Sequence, residues 1–343
     1  MRFALGTWAV TRAIVFTAIA IAAPHGFLVA LGNGDGTWYL EVLRHGYTVG
    51  PDGYAHSVAF FPLFPLIARV VVRAGIAWPL AGALVNNVAF LLAVLLLYRY
   101  TRDTFDTATA RWSVAVACAL PLSLFCSVAY AEGLFMLFSV VALAWYRRKM
   151  YLGAGLAAAA ASATRPLGVA LALGLVIAAL VERRSARAVF SCALGLLGIV
   201  AFSLYCWAHL HDPLAFVHVQ KFWRHGSGFD TPAWFAVLTT AVHGSAHSWI
   251  TIAFLVVAAP CVLIFRERIG VAGVSYVLLS VVAIAISGAP FSVDRLLYAT
   301  VPLLIALGAF FRRVPPLGYG AIAASLVLLF IDAMTFAQFR WVA

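Results

Sequence analysis

Residues 77–98 read AWPLAGALVNNVAFLLAVLLLY, a run of 22 positions without a charge. As a helix rising 1.5 Å per residue, it matches the hydrocarbon core of a bilayer, about 30 Å thick. Similar apolar runs recur on both sides of it. They predict helices near 8–31, 113–129, 133–147, 151–164, 167–181, 188–209, 249–265, 271–288, 296–311 and 317–336. Together these give an all-α, polytopic integral membrane protein of about eleven transmembrane helices, forming one domain over 1–343. The composition agrees: 64% of residues are hydrophobic and 10% charged, against about 45–50% and 25% in soluble domains. The first run contains Ala20-Ile21-Ala22-Ala23, which resembles a signal cleavage site, but it continues to Leu31 and is read as an uncleaved helix.

A net charge of +11 raises the question of nucleic acid. The basic residues, however, sit in short clusters between apolar runs and form no basic face interleaved with aromatics. Most of them (Arg2, Arg12, Arg99, Arg102, Arg111, Arg147, Arg148, Lys149, Arg183, Arg184, Arg187, Arg266, Arg268, Arg312 and Arg313) fall on one side if the N-terminus is cytoplasmic, as the positive-inside bias requires. Asp35, Glu41, Asp52, Glu132, Asp212, Asp230, Asp294 and Asp332 fall on the other. The longest connections, 32–76 and 210–248, are external too, so the chemistry is expected outside. The stretch 59–72, AFFPLFPLIARVVV, holds Pro62 and Pro65. It is read as an amphipathic or re-entrant segment with Phe60, Phe61 and Phe64 at the headgroup level. Cys118, Cys126, Cys192, Cys206 and Cys261 lie in apolar runs with no metal-binding spacing and read as small buried residues.

Five outer stretches carry chemistry. In NGDGTWYLEVLRHGY (33–47), Asp35 lies between Gly34 and Gly36, where backbone can approach a ligand, and suits a general base. Trp38, Tyr39 and Tyr47 offer flat faces for a sugar or for the interface. The plainer reading is a solvated carboxylate beside an aromatic belt. In SVAYAEGLF (127–135), Glu132 with Tyr130 alongside would orient a substrate or pair with Arg165. In SATRPLG (162–168), Arg165 stands at membrane depth, where arginine is costly and its planar fork matches phosphate oxygens. In HDPLAFVHVQKFWRHG (211–226), Asp212 caps a helix starting at Pro213; Gln220, Lys221, Trp223 and Arg224 would face a headgroup or phosphate. In SVDRLLYATVPLLIALG (292–308), Arg295 marks an outer helix mouth, with Tyr298 one turn on and Asp294 as its neutralising neighbour. One carboxylate and two guanidiniums at a membrane face suit transfer from a lipid-linked phosphosugar.

The ordered set DGTWYLEVLRHGY, AFFPLFPL, YAEGLF, SATRPLG, DPLAFVHVQ and RLLYATVPLLIALG resembles the PIG-V-like mannosyltransferases of the GT-C membrane glycosyltransferase superfamily over residues 33–308. The resemblance implies a GT-C-like fold and inverting transfer of a hexose, usually mannose, from a polyprenyl-phosphate sugar on the extracytoplasmic face. Asp35 matches the family's first-loop acidic residue, the proposed base. The chain departs from the family's usual residues at Gly34 (Trp), Ala131 (Ser) and Leu296 (Tyr). Abundant Ala, Arg and Gly suggest a bacterial plasma membrane, and with it a glycolipid, polysaccharide or secreted-protein acceptor. No cofactor is assigned; Asp35, Glu132, Asp212 and Asp294 would be enough for a divalent ion if they converged, which spacing leaves open. The alternative is a transporter or flippase of a lipid-linked or anionic substrate, for which Asn86 and Asn87 within the 77–98 run are the best feature; helix packing is the other reading of those amides.

Overall fold

The computed structural model describes residues 1–50, 53–220, 228–288 and 292–342. Among these the chain is helical throughout, apart from a single bridge between Gly228 and Ser287. Among the described residues, six helices are long and apolar enough to cross a membrane: Arg2–Ala22 (α1), Trp78–Thr104, Ala186–Leu210, Ala246–Ile264, Arg266–Ala285 and Pro315–Ala337. A seventh span results if Val293–Ala299 and Val301–Arg313, bent by 81°, are counted as one. The chain is a multi-pass membrane protein; by length and composition these helices give fewer spans than the expected eleven or so, because several of the apolar runs form shorter helices.

The difference has physical causes. The apolar run 8–31 breaks after α1, where Pro24 cannot continue a helix and Gly26 turns at φ +93°; Phe27–Leu31 (α2) follows as a separate short helix. The 113–129 run ends as a helix at Ala119, because Pro121 forces the chain into a 3-10 turn, Pro121–Cys126. Four helices are short: Thr107–Ala119 (13 residues), Glu132–Arg147 (16), Tyr151–Thr164 (14) and Gly168–Val181 (14). They are packed in the interior with small residues at the contacts. A Cβ on Gly155 would come within 1.8 Å of the Ser191 carbonyl oxygen, and one on Gly198 within 2.1 Å of that of Ala159. Such close backbone approach is the usual means of joining helices where lipid gives no hydrophobic drive.

Among the described residues of segment 35–73 the α-helices are Asp35–His45 (α3) and Leu63–Arg73 (α4). At 11 residues, α4 is too short to cross. The aromatics expected at the headgroups are turned inward instead. Phe64 is fully buried against Tyr39 (4.8 Å between ring centroids) and Trp78 (6.2 Å); Phe61 packs on Phe202 (4.8 Å). Phe60 stacks on Trp38 at 5.8 Å. The lipid-facing role falls to Leu66 and Val70, both exposed. Arg69 donates to the Leu43 carbonyl (2.6 Å) and ties α4 to the end of α3.

Arg12 is a second correction. It does not sit in a connection between helices: it lies in the middle of α1, 2% exposed, with no carboxylate partner among the described residues. Its guanidinium donates to the Ser123 carbonyl (2.6 Å), the Ser127 hydroxyl (2.5 Å), the Ser123 hydroxyl (2.8 Å) and the Cys118 carbonyl (3.3 Å), with the Phe90 ring 5.1 Å away. The negative end of the helix finishing at Ala119 is its counter-charge.

Asn86 does similar work from the helix Trp78–Thr104 (α5). Its amide donates to the carbonyls of Phe125 (2.7 Å) and Val128 (2.9 Å) and accepts from the Gly133 N–H (2.7 Å). Asn87 donates to Ser127 (2.7 Å) and to its own helix at Ala83. Both amides are packing residues that pin the turn leading to Glu132. Asn86→Leu would strand three buried backbone groups, at about 1–3 kcal/mol each. Detergent-solubilised Asn86→Leu protein is therefore expected to melt well below wild type and below Asn87→Leu; equal melting of all three would contradict this.

Candidate active site

The segment from Leu31 to Gly36 is fixed to the bundle by hydrogen bonds. Ala129 N–H donates to the Leu31 carbonyl (2.9 Å), Asn33 donates to the Phe336 carbonyl (2.9 Å), and the Trp78 indole donates to the Gly36 carbonyl (3.0 Å). Gly34 takes φ +59°, and a Cβ there would lie 2.2 Å from the Tyr130 hydroxyl oxygen. That hydroxyl accepts the Asp35 N–H at 3.0 Å. A Cβ at position 34 would force this hydroxyl to shift, and the positive φ already favours glycine there. Asp35, the first residue of α3, is thereby aimed at the bundle interior.

There it meets three other charges. Arg295, from Val293–Ala299, donates to Asp35 Oδ2 at 2.7 Å; its Nε stands 2.9 Å from Glu132 Oε1, an ion-pair distance without the angle of a hydrogen bond. Arg165, after the helix Tyr151–Thr164 (α8), donates to the same Oε1 of Glu132. The Arg295 guanidinium also lies 5.1 Å from the Phe125 ring centroid and 5.3 Å from that of Tyr130. Side-chain exposure grades across the group: 1% for Glu132, 11% for Arg165, 12% for Arg295 and 19% for Asp35. Glu132 is the buried anchor, and the other three open toward the surface. Two cations and two anions sum to zero, which makes burial tolerable. Burial pushes the Asp35 carboxyl above its ordinary range, with the Arg295 cation pulling the other way.

The structure thus brings Asp35, Glu132, Arg165 and Arg295 together, with Tyr130 as a wall. Tyr39 is buried edge-on against Phe60 and Phe64, and burial raises its hydroxyl pKa; Trp38 stacks on Phe60. Tyr298 goes elsewhere: its hydroxyl donates to the Ala117 carbonyl (2.5 Å) inside the bundle, so it does not line the cluster. Gln220 donates to the Phe216 carbonyl at 3.3 Å, and the described helix after Asp212 is only Ala215–His218, with Asp212 bonded to His218. Lys221, Trp223 and Arg224 lie outside the described residues. Asp294 does not neutralise the Arg295 guanidinium. It accepts the Arg295 backbone N–H (2.8 Å) and bonds His247 Nδ1 (2.5 Å), whose Nε2 faces Asp332 at 3.1 Å. The sequence reading missed this bridge because its three residues lie on three separate elements. The two acids sit on opposite nitrogens, an arrangement of hydrogen bonds and not a chelate, and no metal-holding group of three occurs among the described residues. Asp35, Glu132, Asp212 and Asp294 do not all meet.

A family model described as Mannosyltransferase (PIG-V) matches residues 14–222, more than half of the chain, including Asp35, Glu132 and Arg165. The chain belongs to this family. The resemblance read from the ordered motifs is borne out. Among curated proteins, GPI mannosyltransferase 2 of Drosophila pseudoobscura pseudoobscura is 34% identical over 119 residues, 32% of this chain and 25% of that protein. GPI alpha-1,6-mannosyltransferase 2 of Cricetulus griseus is 27% identical over 158 residues, 42% of this chain and 30% of that protein. Both matches span under a third of the relatives' own length. Among solved structures, ArnT from Cupriavidus metallidurans, bound to undecaprenyl phosphate, superposes with a TM-score of 0.60 at 16% identity. The superposition covers 96% of this chain and 63% of that one. The archaeal oligosaccharyltransferase AglB from Archaeoglobus fulgidus, in complex with an inhibitory peptide and a dolichol-phosphate, gives 0.54 at 13% identity, covering 99% and 56%. The fold is GT-C-like.

Gly34→Ala is expected to lower stability by about 1–2 kcal/mol through strain and the Tyr130 clash. In Gly34→Ala/Tyr130→Phe the nearest remaining ring atom is Cζ, at 3.4 Å. Melting temperatures of the four proteins should therefore show the double variant losing less than the sum of the singles; strict additivity would mean that the hydroxyl is not what excludes a side chain.

Proposed function

We propose that this protein is an inverting glycosyltransferase that moves a hexose, mannose, from a polyprenyl-phosphate sugar to an acceptor on the extracytoplasmic face, with Asp35 as general base. The observation that carries the reading is the convergence of Asp35, Arg295, Glu132 and Arg165 in one partly open cluster. Membership of the Mannosyltransferase (PIG-V) family supports the sugar, and the undecaprenyl phosphate and dolichol-phosphate bound by the two solved neighbours support the donor class. In this reading the short basic loops face the cytoplasm, the membrane is the bacterial plasma membrane, and the acceptor is an envelope glycolipid, polysaccharide or secreted protein.

The charge balance fits the chemistry. The donor phosphodiester carries one negative charge. When the acceptor oxygen bonds the sugar's anomeric carbon from the face opposite the phosphate, the acceptor proton passes to Asp35 and the carbon–oxygen bond to phosphate breaks. The leaving polyprenyl phosphate then carries a second negative charge. Protonation of Asp35 releases Arg295 from its 2.7 Å pairing at that same step, so the guanidinium becomes available to the leaving phosphate as its charge appears. Glu132, paired with both arginines, keeps them in position. In this reading Lys221 and Arg224 face the same phosphate, and Trp38, Tyr130, Gln220 and Trp223 the sugar and lipid, while Tyr39 supports the site from the core.

Asp35→Asn should reduce transfer from labelled polyprenyl-phosphate mannose in isolated membranes by about 10²–10⁴-fold while the protein still inserts. Normal turnover in that variant would end the assignment. A base works only when deprotonated, so the rate rises with pH through the Asp35 pKa. Arg295→Gln removes the cation that lowers this pKa, and the acid limb of the rate profile should move to higher pH; an unmoved or lowered limb would refute the Asp35–Arg295 coupling.

A further inference from the structure

The basic residues at the far end of the bundle form more than a set of scattered anchors. Helix α5 starts at Trp78, hydrogen-bonded to the site loop, and runs 27 residues to Thr104, about 40 Å away. At that end Arg268, Arg312 and Arg313, with Thr109, Phe105 and Phe265, line a cavity of about 300 Å³. Asp106 is the carboxylate of the group and is committed twice. It bonds Arg312, and it caps the helix Thr107–Ala119 (α6) by accepting the Thr109 N–H at 2.9 Å. Arg268 is held by the Phe105 carbonyl (3.2 Å) and lies 5.8 Å from the Phe105 ring; Arg313 lies 4.6 Å from the Phe265 ring. Among the described residues neither has a carboxylate partner. Three cations against one anion leave the cavity with a surplus of two positive charges.

A second, independent observation points to a ligand. Thr109 is fully buried, and among the described residues its hydroxyl has no hydrogen-bond partner. An unsatisfied buried hydroxyl is uncommon and costs free energy. This one belongs to the first turn of a 13-residue helix whose N-terminal end favours negative charge. Guanidiniums in a fork geometry, a helix N-terminus and an unsatisfied hydroxyl donor are together the recognition set of a phosphate group. We infer that this cavity is a second anion site, distinct from the Asp35 cluster, that binds a phosphate group. The edge-on Phe105 and Phe265 rings (5.8 Å apart) form an apolar wall suited to the glycerol and acyl root of an anionic phospholipid. The inference does not depend on the catalytic reading.

Purified full-length protein in detergent would be titrated with dioleoylphosphatidylglycerol, dioleoylphosphatidylcholine and inorganic phosphate, with binding followed by native mass spectrometry and melting temperature. Saturable phosphatidylglycerol binding is expected, at least about tenfold tighter than phosphatidylcholine. The Arg268→Gln/Arg313→Gln protein should lose at least about tenfold in that affinity, and Thr109→Val should lose affinity without a change of charge. Arg312 is left intact because its loss would also free Asp106. Inorganic phosphate that raises the melting temperature saturably and displaces the lipid would assign a soluble phosphate as the occupant; failure to displace would assign the lipid headgroup. Unchanged phosphatidylglycerol affinity in a double variant that melts like wild type would overturn the site, as would absence of binding by all three probes. Should the double variant not fold, Arg313→Gln and Thr109→Val decide between the same outcomes.

Discussion

Glu132 Oε1 is the point to which the functional end of this bundle is tied. A carboxylate 1% exposed in a low-dielectric interior persists in ionised form only where cations sit against it. Here a single oxygen serves both Arg165 and Arg295. Those arginines come from chain segments 130 residues apart, so the interaction sets the mutual position of α8's end and the short helix Val293–Ala299. Glu132 is in turn held by its own helix: it is the first residue of Glu132–Arg147, where the helix dipole favours an anion, and its neighbour Gly133 donates to Asn86. Asp35 joins last, through Arg295 and through its backbone bond to Tyr130.

Much of this was legible in the sequence because charge is rare in it. With only 10% charged residues, each acidic or basic position outside the short inner clusters stands out, and alternation of apolar runs is enough to bring Asp35, Glu132, Arg165 and Arg295 to one end. Alternation says nothing about what a side chain meets at a given depth. Tyr298 lies one turn beyond Arg295, and there its neighbour is the Ala117 carbonyl. Phe61 and Phe64 have the composition of an interfacial belt and are consumed by packing on Phe202, Tyr39 and Trp78. Arg12 was misread for the complementary reason: a charge near the N-terminus of a run looks like a flank, whereas backbone carbonyls of a neighbouring helix end make a buried site for it.

Proline explains where the apolar runs fail to form continuous helices. Pro24, Pro121 and Pro302 each lie within or beside an apolar run, and at each the chain breaks or bends. A hydropathy pattern counts apolar length and passes over these breaks. The same breaks create the half-length helices whose ends carry the site, since irregular backbone at membrane depth is tolerable only where protein surrounds it.

The two ends of the bundle show how environment, more than residue type, sets what an arginine does. At the Asp35 end the guanidiniums are buried and matched one for one by carboxylates, so an incoming anion gains contact only as an internal pairing is released. Such an arrangement suits a group whose charge changes during a reaction. At the Arg268–Arg313 end the guanidiniums lie over aromatic faces, more exposed and in excess of their single carboxylate. An anion there meets Arg268 and Arg313, held by a backbone carbonyl and by ring faces with no carboxylate partner among the described residues, which suits steady occupancy by a ligand whose charge does not change. Electrostatics at this second end is screened by salt over about 8–10 Å, whereas the first is shielded by the protein around Glu132. An arginine beside an apolar run therefore takes a different role at each end, set by its burial and its partners.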